Sequence, residues 1–372
     1  GSRDHLGEPG VLATAGALTR PDSPPTHRKA PRSAHVRRRR AAAMGFDTRG
    51  APWYLLLARE AGITWHEGGS MVIDAPARVS ERITLLGRRE SCVYLVDGLT
   101  EKALVGGGMS YVVPDVLKQL QEFRVDSGPI GRIVILHTHF DHVGIVPFFS
   151  GLLTNARVCV SPAGKRMLER PEVIETILSL NRALVSLHHP GSDEADFGLP
   201  FDSIRVDEVL EDGSRIHVGD LTLDVLHVPG HSSCSMALYC GSQRALFPSD
   251  AAGIMFGDRV FTSANSNYDL YEKNLCRLAA LDVDTICAEH YGSLTGDDAR
   301  SFLAKSQESA RITRRLIEET LSRTGDVGAT VREVAGLFTA ESKGYFLPQE
   351  IMETVIGQMT RFLASHRATT PL

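Results

Sequence analysis

The chain has 372 residues, of which 42% are hydrophobic, 23% charged and 6% aromatic, and its formal net charge is -5. Those proportions exclude a collagen-like, low-complexity or wholly disordered chain and leave room for one large domain or two average ones. No uninterrupted apolar run reaches the roughly 18–20 residues that span a bilayer, and six scattered cysteines without CxxC spacing exclude a disulfide framework or a cysteine zinc site.

The charge is unevenly spread. Residues 1–43 hold nine Lys/Arg against three Asp/Glu, with Pro21, Pro24, Pro25, Pro31 and the run Arg37-Arg38-Arg39-Arg40. Such a segment buries too little apolar surface to order itself, so it reads as a disordered basic arm. An arm for nucleic acid or membrane is the alternative for the four arginines; neither partner is expected. Gly1-Ser2 reads as a cloning remnant and Met44 as a natural start, which would make the arm non-native. Without a signal-peptide apolar core, and with reduced thiols, the expected location is the cytoplasm.

From residue 81 the pattern becomes one of strands. Ile83-Thr84-Leu85-Leu86 and Cys92-Val93-Tyr94-Leu95-Val96 flank a polar turn around Arg88 and Glu90, and Ala103-Leu104-Val105 stops at Gly106-Gly107-Gly108. Pro114 opens a helix that runs to Phe123, with Val116, Leu117, Leu120 and Phe123 at helical spacing. Ile133-Val134-Ile135-Leu136 is wholly apolar, as in a strand buried on both faces, and Val158-Cys159-Val160 is another. Residues 172–188 are helical in pattern, and 204–240 alternate like strands and hairpins, with turns at Asp212-Gly213 and Gly219-Asp220. Ala245-Leu246-Phe247 and Thr285-Ile286-Cys287-Ala288 are short strands, and helices follow over 297–322, 330–338 and 348–366. The expected organisation is a core over residues 44–298 and a helical C-terminal cap over 299–372.

The chemistry concentrates in His137-Thr138-His139-Phe140-Asp141-His142, at the end of the apolar strand. His137 and His139 are two apart, so in extended chain they project the same way. Asp141 and His142 lie past the strand, where a turn aims them at a second point; the pattern suits two adjacent metal ions. A satisfied polar turn is the bland alternative, and three histidines with an aspartate at this spacing argue against it. Other strands also end on ligand-type residues: His231 after Pro229-Gly230, Asp250 after Leu246-Phe247, and His290 after Ile286-Cys287. Together these make seven nitrogen and oxygen donors, enough for a binuclear site with one shared carboxylate.

The strings HTHFDH, PGHSSCS, FPSD and AEHYG, in that order over roughly residues 81–298, resemble the metallo-β-lactamase superfamily. The resemblance implies an α/β fold, an αββα sandwich with a helical C-terminal extension, and a site at one edge of two packed sheets. It implies that His137, His139 and His231 hold a first divalent ion, that Asp141, His142 and His290 hold a second, and that Asp250 bridges. Zinc is the superfamily default, and iron or manganese suits the same donors. The all-histidine third position and the missing cysteine ligand are similar to the glyoxalase II-like thioesterases and lactonases, and put antibiotic hydrolysis in doubt. Leu180-Asn181-Arg182-Ala183-Leu184 and Tyr345-Phe346-Leu347-Pro348-Gln349-Glu350 further resemble the helical cap of 2-aminobenzoylacetyl-CoA thioesterases.

The implied activity is hydrolysis of an acyl thioester, on a small-molecule or carrier-bound substrate, by a hydroxide held between two dications. A lactonase, a di-iron oxygen-dependent enzyme and a metal-bearing regulator with little turnover are the alternatives. Asp141 would orient the nucleophile. Tyr291 would donate to the substrate carbonyl, with structural support as its alternative role. Ser232, Ser233 and Cys234 read as turn and capping residues, Asn267 and Tyr268 as loop, and His188 and His189 as solvated loop histidines. His66, His217, His227 and His366 have no partner at ligand spacing. The C-terminal helices could pack on the core, form a homodimer contact, or cover the substrate.

Overall fold

The computed structural model describes residues 72–123, 129–256, 259–341 and 349–367. The basic arm of residues 1–43, Met44, His66 and the stretch from Tyr345 to Pro348 lie outside the described residues. Strand β1 (Val72–Ile73) is followed by β2 (Ala77–Arg78), β3 (Ile83–Arg88), β4 (Ser91–Asp97) and β5 (Lys102–Val105). Helix α1 (Val113–Glu122) precedes β6 (Ile130–Val134), α2 (Val146–Leu152) precedes β7 (Arg157–Val160), and α3 (Pro162–Leu168) with α4 (Pro171–His188) precedes β8 (Glu208–Val209). Strands β2 to β8 form one sheet in chain order, antiparallel as far as β5 and parallel beyond it. The switch follows from the connections, because tight turns return a strand antiparallel whereas a parallel neighbour needs a crossover, usually helical.

The second half repeats the scheme. Strands β9 (Arg215–Val218), β10 (Leu221–His227), β11 (Met236–Cys240) and β12 (Ala245–Phe247) make an antiparallel meander. A separate hairpin, β13 (Ile254–Phe256) and β14 (Arg259–Phe261), comes next. Helix α5 (Tyr268–Ala279) then leads to β15 (Thr285–Cys287), parallel to β12, and β16 (Ser293–Thr295) and β1 complete the second sheet. Helices α6 (Gly296–Thr324), α7 (Val327–Glu341) and α8 (Gln349–Arg367) follow.

Side-chain alternation along the strands builds three apolar layers. Cys92, Tyr94 and Val96 of β4 point between the sheets, against Leu223, Val225, Leu238 and Phe247. Val93 and Leu95 of the same strand point outward, against Val116, Phe149 and Ile177 from helices of the first half. Leu246 and Ile286 point outward from the second sheet, against Leu275, Phe302, Ile317 and Met359. Each sheet thus has helices on its outer face and the other sheet on its inner face, which is the expected αββα sandwich. Residues buried on both faces need no alternation, which is why Ile133-Val134-Ile135-Leu136 is uniformly apolar. The ladder itself starts earlier, at Ile130, and pairs to Val134; the Ile135 amide still donates to the Cys159 carbonyl at 2.9 Å, and Leu136 follows, buried, at a bend.

One local expectation is corrected. Asn267 and Tyr268 do not lie within a loop: Asn267 caps α5, its side chain accepting from the Leu270 amide at 2.9 Å, and Asp269 sits in the first turn. That cap-and-acid pattern is a readable helix start. Among the described residues, no helix is long and apolar enough to cross a membrane.

The sheets are also stitched together by polar contacts near the histidine cluster. The Met236 amide donates to the Leu136 carbonyl at 2.9 Å and the Cys92 amide to the Glu289 carbonyl at 2.8 Å. The buried Tyr94 hydroxyl donates to the carbonyls of Ala288 and Gly292 at 2.6 and 3.2 Å. Tyr94→Phe removes this clasp and is expected to lower the unfolding free energy by about 1–2 kcal/mol, read as a lower urea midpoint at unchanged slope.

Candidate metal centre

Both halves of the chain contribute to one buried cluster. Leu136 ends the extended run of the first sheet, and His139 leads into a single 3-10 turn, Phe140–His142. Asn181 of α4 holds that turn, its amide nitrogen donating to the Phe140 carbonyl and its oxygen accepting from the Ser110 amide, both at 2.8 Å. The Gly106–Gly108 loop passes beside it. Gly106 has φ +87, and a Cβ there would lie 2.6 Å from Glu289 Oε1; a Cβ on Gly107 would lie 2.1 Å from the His142 carbonyl oxygen. Only glycine permits an approach this close. From the second sheet, His231 follows the Pro229-Gly230 turn after β10, Asp250 sits in a 3-10 turn after β12, and His290 lies just past β15.

All seven residues singled out in the sequence meet here. His231 Nε2 lies 3.2 Å from His137 Nε2 and 2.9 Å from His139 Nδ1. His290 Nε2 lies 3.1 Å from His142 Nε2, and Asp141 Oδ2 is 3.5 Å from each of those two nitrogens. Asp250 reaches both groups, with Oδ2 at 3.3 Å from His142 Nε2 and 3.6 Å from His231 Nε2. Two triads, His137/His139/His231 and Asp141/His142/His290, have donor atoms close enough in each to share one ion; a third such group, His137/His142/Glu289, draws one histidine from each.

The outer nitrogens decide which way the lone pairs face. His231 Nδ1 lies 2.8 Å from the Ser263 carbonyl and His290 Nδ1 2.7 Å from the Glu90 carbonyl. A carbonyl only accepts, so both Nδ1 atoms carry the proton and both Nε2 atoms present a lone pair inward. His137 Nδ1 lies 2.9 Å from Ser249 Oγ, whose own proton goes to Glu289 Oε2; the serine oxygen therefore accepts from His137 as well. His142 Nδ1 sits 3.0 Å from the same Glu289 oxygen. The inward lone pairs of His137, His231 and His290 thus converge with two carboxylates, which is the arrangement a divalent cation fits. Glu289, a buried residue the sequence reading passed over, serves one histidine of each triad; its position beside His290 at a strand end was the available signal. Its Oε1 is buried without a hydrogen-bond partner.

The electrostatics split the histidines into two kinds. Burial, reinforced by the neighbouring imidazoles, pushes His137 far below the usual range and His139 down to about 3. Burial also lowers His231. Burial alone would lower His142 and His290 too, but Glu289, Asp141 and Asp250 around His142, and Asp250 and Asp141 beside His290, raise both instead. Burial would raise the two aspartates, and the facing histidines outweigh it, holding Asp141 at about 2 and Asp250 lower still.

The other singled-out residues lie elsewhere. Tyr291 is buried beneath the Arg89 guanidinium, its ring 5.1 Å from that of Phe256, with a left-handed φ of +61. His188 is not a loop residue: it ends α4 and stacks on Tyr111 at 4.0 Å, while His189 Nε2 lies 3.0 Å from the Tyr111 carbonyl. His227 meets the Leu210 carbonyl, His217 meets Thr222, and His366 meets the Phe362 carbonyl, all outside the cluster. The cluster forms the floor of a cavity of about 470 Å³ lined by α4, α8 and the β13–β14 hairpin.

These directions give a pH expectation. In the metal-free protein the surrounding carboxylates favour a second ring proton on His142 and His290, and burial disfavours one on His137, His139 and His231. Metal loading displaces a second proton wherever one is held, so affinity is expected to rise with pH. Calorimetric titration of zinc in buffers of different ionisation enthalpy should report that proton's release; no proton release at pH 7 would contradict the assignment.

Residues 86–290 match the model of the metallo-beta-lactamase superfamily. Among curated proteins, the chain is 28% identical over 206 residues to acyl-coenzyme A thioesterase MBLAC2 of Homo sapiens, covering 53% of this chain and 66% of that one. It is also 28% identical over 206 residues to hydroxyacylglutathione hydrolase of Pseudomonas aeruginosa, covering 53% and 60%. The match thus spans less than two thirds of either relative. Among solved structures, a beta-lactamase domain protein from Burkholderia ambifaria superposes with a TM-score of 0.56 at 18% identity, over 80% of this chain and 90% of that one. A metallo-beta-lactamase family protein from Thermus thermophilus gives 0.53 at 19% identity, over 81% and 94%. With its two-sheet sandwich and its histidine signature inside the matched region, the chain belongs to the metallo-beta-lactamase superfamily.

Proposed function

We propose that the protein is a binuclear metal-dependent hydrolase of acyl thioesters. In this reading His137, His139 and His231 would hold one divalent ion and Asp141, His142 and His290 the other, with Asp250 within reach of both groups. The observation that carries it is the convergence of lone pairs and carboxylates, in two triads, on the floor of a cavity. Zinc is the ion proposed, on superfamily habit; the same donors suit iron and manganese. When bound, the ions would polarise a carbonyl and supply a nucleophile from water at neutral pH.

The residues around them do the rest. Asp250, anionic across the neutral range, holds the two triads at a fixed separation. Asp141 lines the cavity and, with its carboxyl held at about 2, accepts a hydrogen bond from the attacking water and orients it, storing no proton. Glu289 and Ser249 keep His142 and His137 turned inward. Hydrolysis forms one C–O bond and breaks the C–S bond, and the water's protons end on the carboxylic acid and the thiol.

The leaving group follows from what the cavity lacks. Among the described residues, no Lys, Tyr or Cys lines it to protonate a poor leaving group, and a thiolate, whose conjugate acid has a pKa near 8–9, needs little such help. The relatives, named for acyl-coenzyme A and for hydroxyacylglutathione, support the same bond.

Metal-loaded protein is expected to release free thiol from an acyl-thioester panel, and Asp141→Asn to lower kcat by about 10²–10⁴-fold at unchanged unfolding midpoint. Failure of the metal-loaded protein to cleave any thioester would overturn the proposal. Tyr291 we assign to support, given its burial against Phe256 and Arg89. Tyr291→Phe is therefore expected to leave kcat within about threefold, whereas a loss of about 10²-fold or more would make it a hydrogen-bond donor to the substrate.

A further inference from the structure

The cavity above the cluster is graded along its depth. Its floor is His139, Asp141, His231 and Asp250; its walls are Val173 and Ile177 of α4 and Met352, Val355 and Ile356 of α8, with Ile254 and Phe261 of the hairpin, and Leu180 of α4, 37% exposed, lines it toward the mouth. Glu172 and Thr176 on one side and Thr354 and Gln358 on the other are exposed and form a polar rim. Among the described residues no Lys or Arg lines it, and outside the floor their single charge is Glu172, which is paired with Arg170.

We propose that this cavity is the acyl-binding pocket, and that it selects an uncharged, apolar acyl chain of medium or greater length. The inference rests on the thioesterase reading. A phosphate- or carboxylate-bearing thiol arm finds no counter-charge inside, so it stays at the rim and the acyl half enters. An apolar chain there gains burial of its methylenes between α4 and α8, and about 470 Å³ is within the range that encloses a drug-sized ligand. A short hydroxylated acyl group would leave the walls uncovered, and a terminal carboxylate would be desolvated without a partner. The C-terminal helix is thus a specificity wall, and α4 faces it across the chain.

The test is a saturated acyl-thioester series on one thiol, from acetyl to hexadecanoyl, with S-alkyl thioethers of the same lengths as binding probes. Expected is a rise in kcat/KM approaching fourfold per methylene up to the length that fills the pocket, then a plateau. Leu180→Trp and Val355→Trp, from opposite walls, are each expected to shift the optimum to shorter chains. Leu187→Trp is the control: Leu187 lies on the same helix, is 73% exposed and does not line the cavity. A flat profile would overturn the proposal, as would an optimum unmoved by both wall variants. So would a preference for 2-hydroxyacyl thioesters, whose hydroxyl the unpartnered Asn265 Oδ1 in the wall could accept. The two readings fail separately. Thioether binding that tightens with length and is weakened by Leu180→Trp, without cleavage of any thioester, keeps the pocket and removes the hydrolase; cleavage without length dependence does the reverse.

Discussion

Everything at the centre depends on where the histidine protons sit. The outer nitrogens of His231 and His290 face backbone carbonyls, and that of His137 faces a serine oxygen already committed to Glu289. These partners leave inward nitrogens as acceptors. Acceptors and two carboxylates crowded within hydrogen-bond distance repel one another unless a cation or protons lie among them. The raised His142 and His290 are that tension resolved by protons; two divalent ions would resolve it more completely.

The rest of the fold can be read as what holds that arrangement together. Neither sheet carries a complete triad: one supplies His137, His139, Asp141 and His142, the other His231, Asp250 and His290. The apolar layer between them, with Tyr94, Leu223 and Phe247 fully buried, sets how far apart the two contributions stand. Polar contacts then pin the loops themselves, from Tyr94 to Ala288, from Cys92 to Glu289 and from Asn181 to Phe140. A rigid sandwich thus supports a cluster at one edge, while α4, α8 and the hairpin are free to vary around the cavity and set what enters it.

Much of this was legible in the chain. Strong helical periodicity located α1, α4, α6, α7 and α8, and short apolar runs ending on histidine or aspartate located the strands that present the cluster. Other elements gave weaker signals. Helices α2 and α3 have seven residues each, too short for a period to show, and the β13–β14 hairpin pairs only three residues on each side. Helix α5 was readable from Asn267 and Asp269, and from Tyr268, Tyr271, Leu275 and Leu278 at helical spacing. Glu289 carried no spacing signal, because its partners, Ser249 and His142, are distant in the sequence.

The sequence alone determined which residue types end which strands, and hence that imidazoles and carboxylates gather in one family's order. It did so because strand period and apolar burial are local properties, written within a few residues. The division into two triads with Asp250 between them came from the family resemblance; only the tertiary structure brought the seven within reach of one another and showed that Glu289 serves one histidine in each triad. It alone set α8 across from α4 to enclose an uncharged cavity. Those facts depend on approaches of 3–4 Å, most of them between segments about 100 or more residues apart, set by the packing of two sheets and invisible to any local pattern.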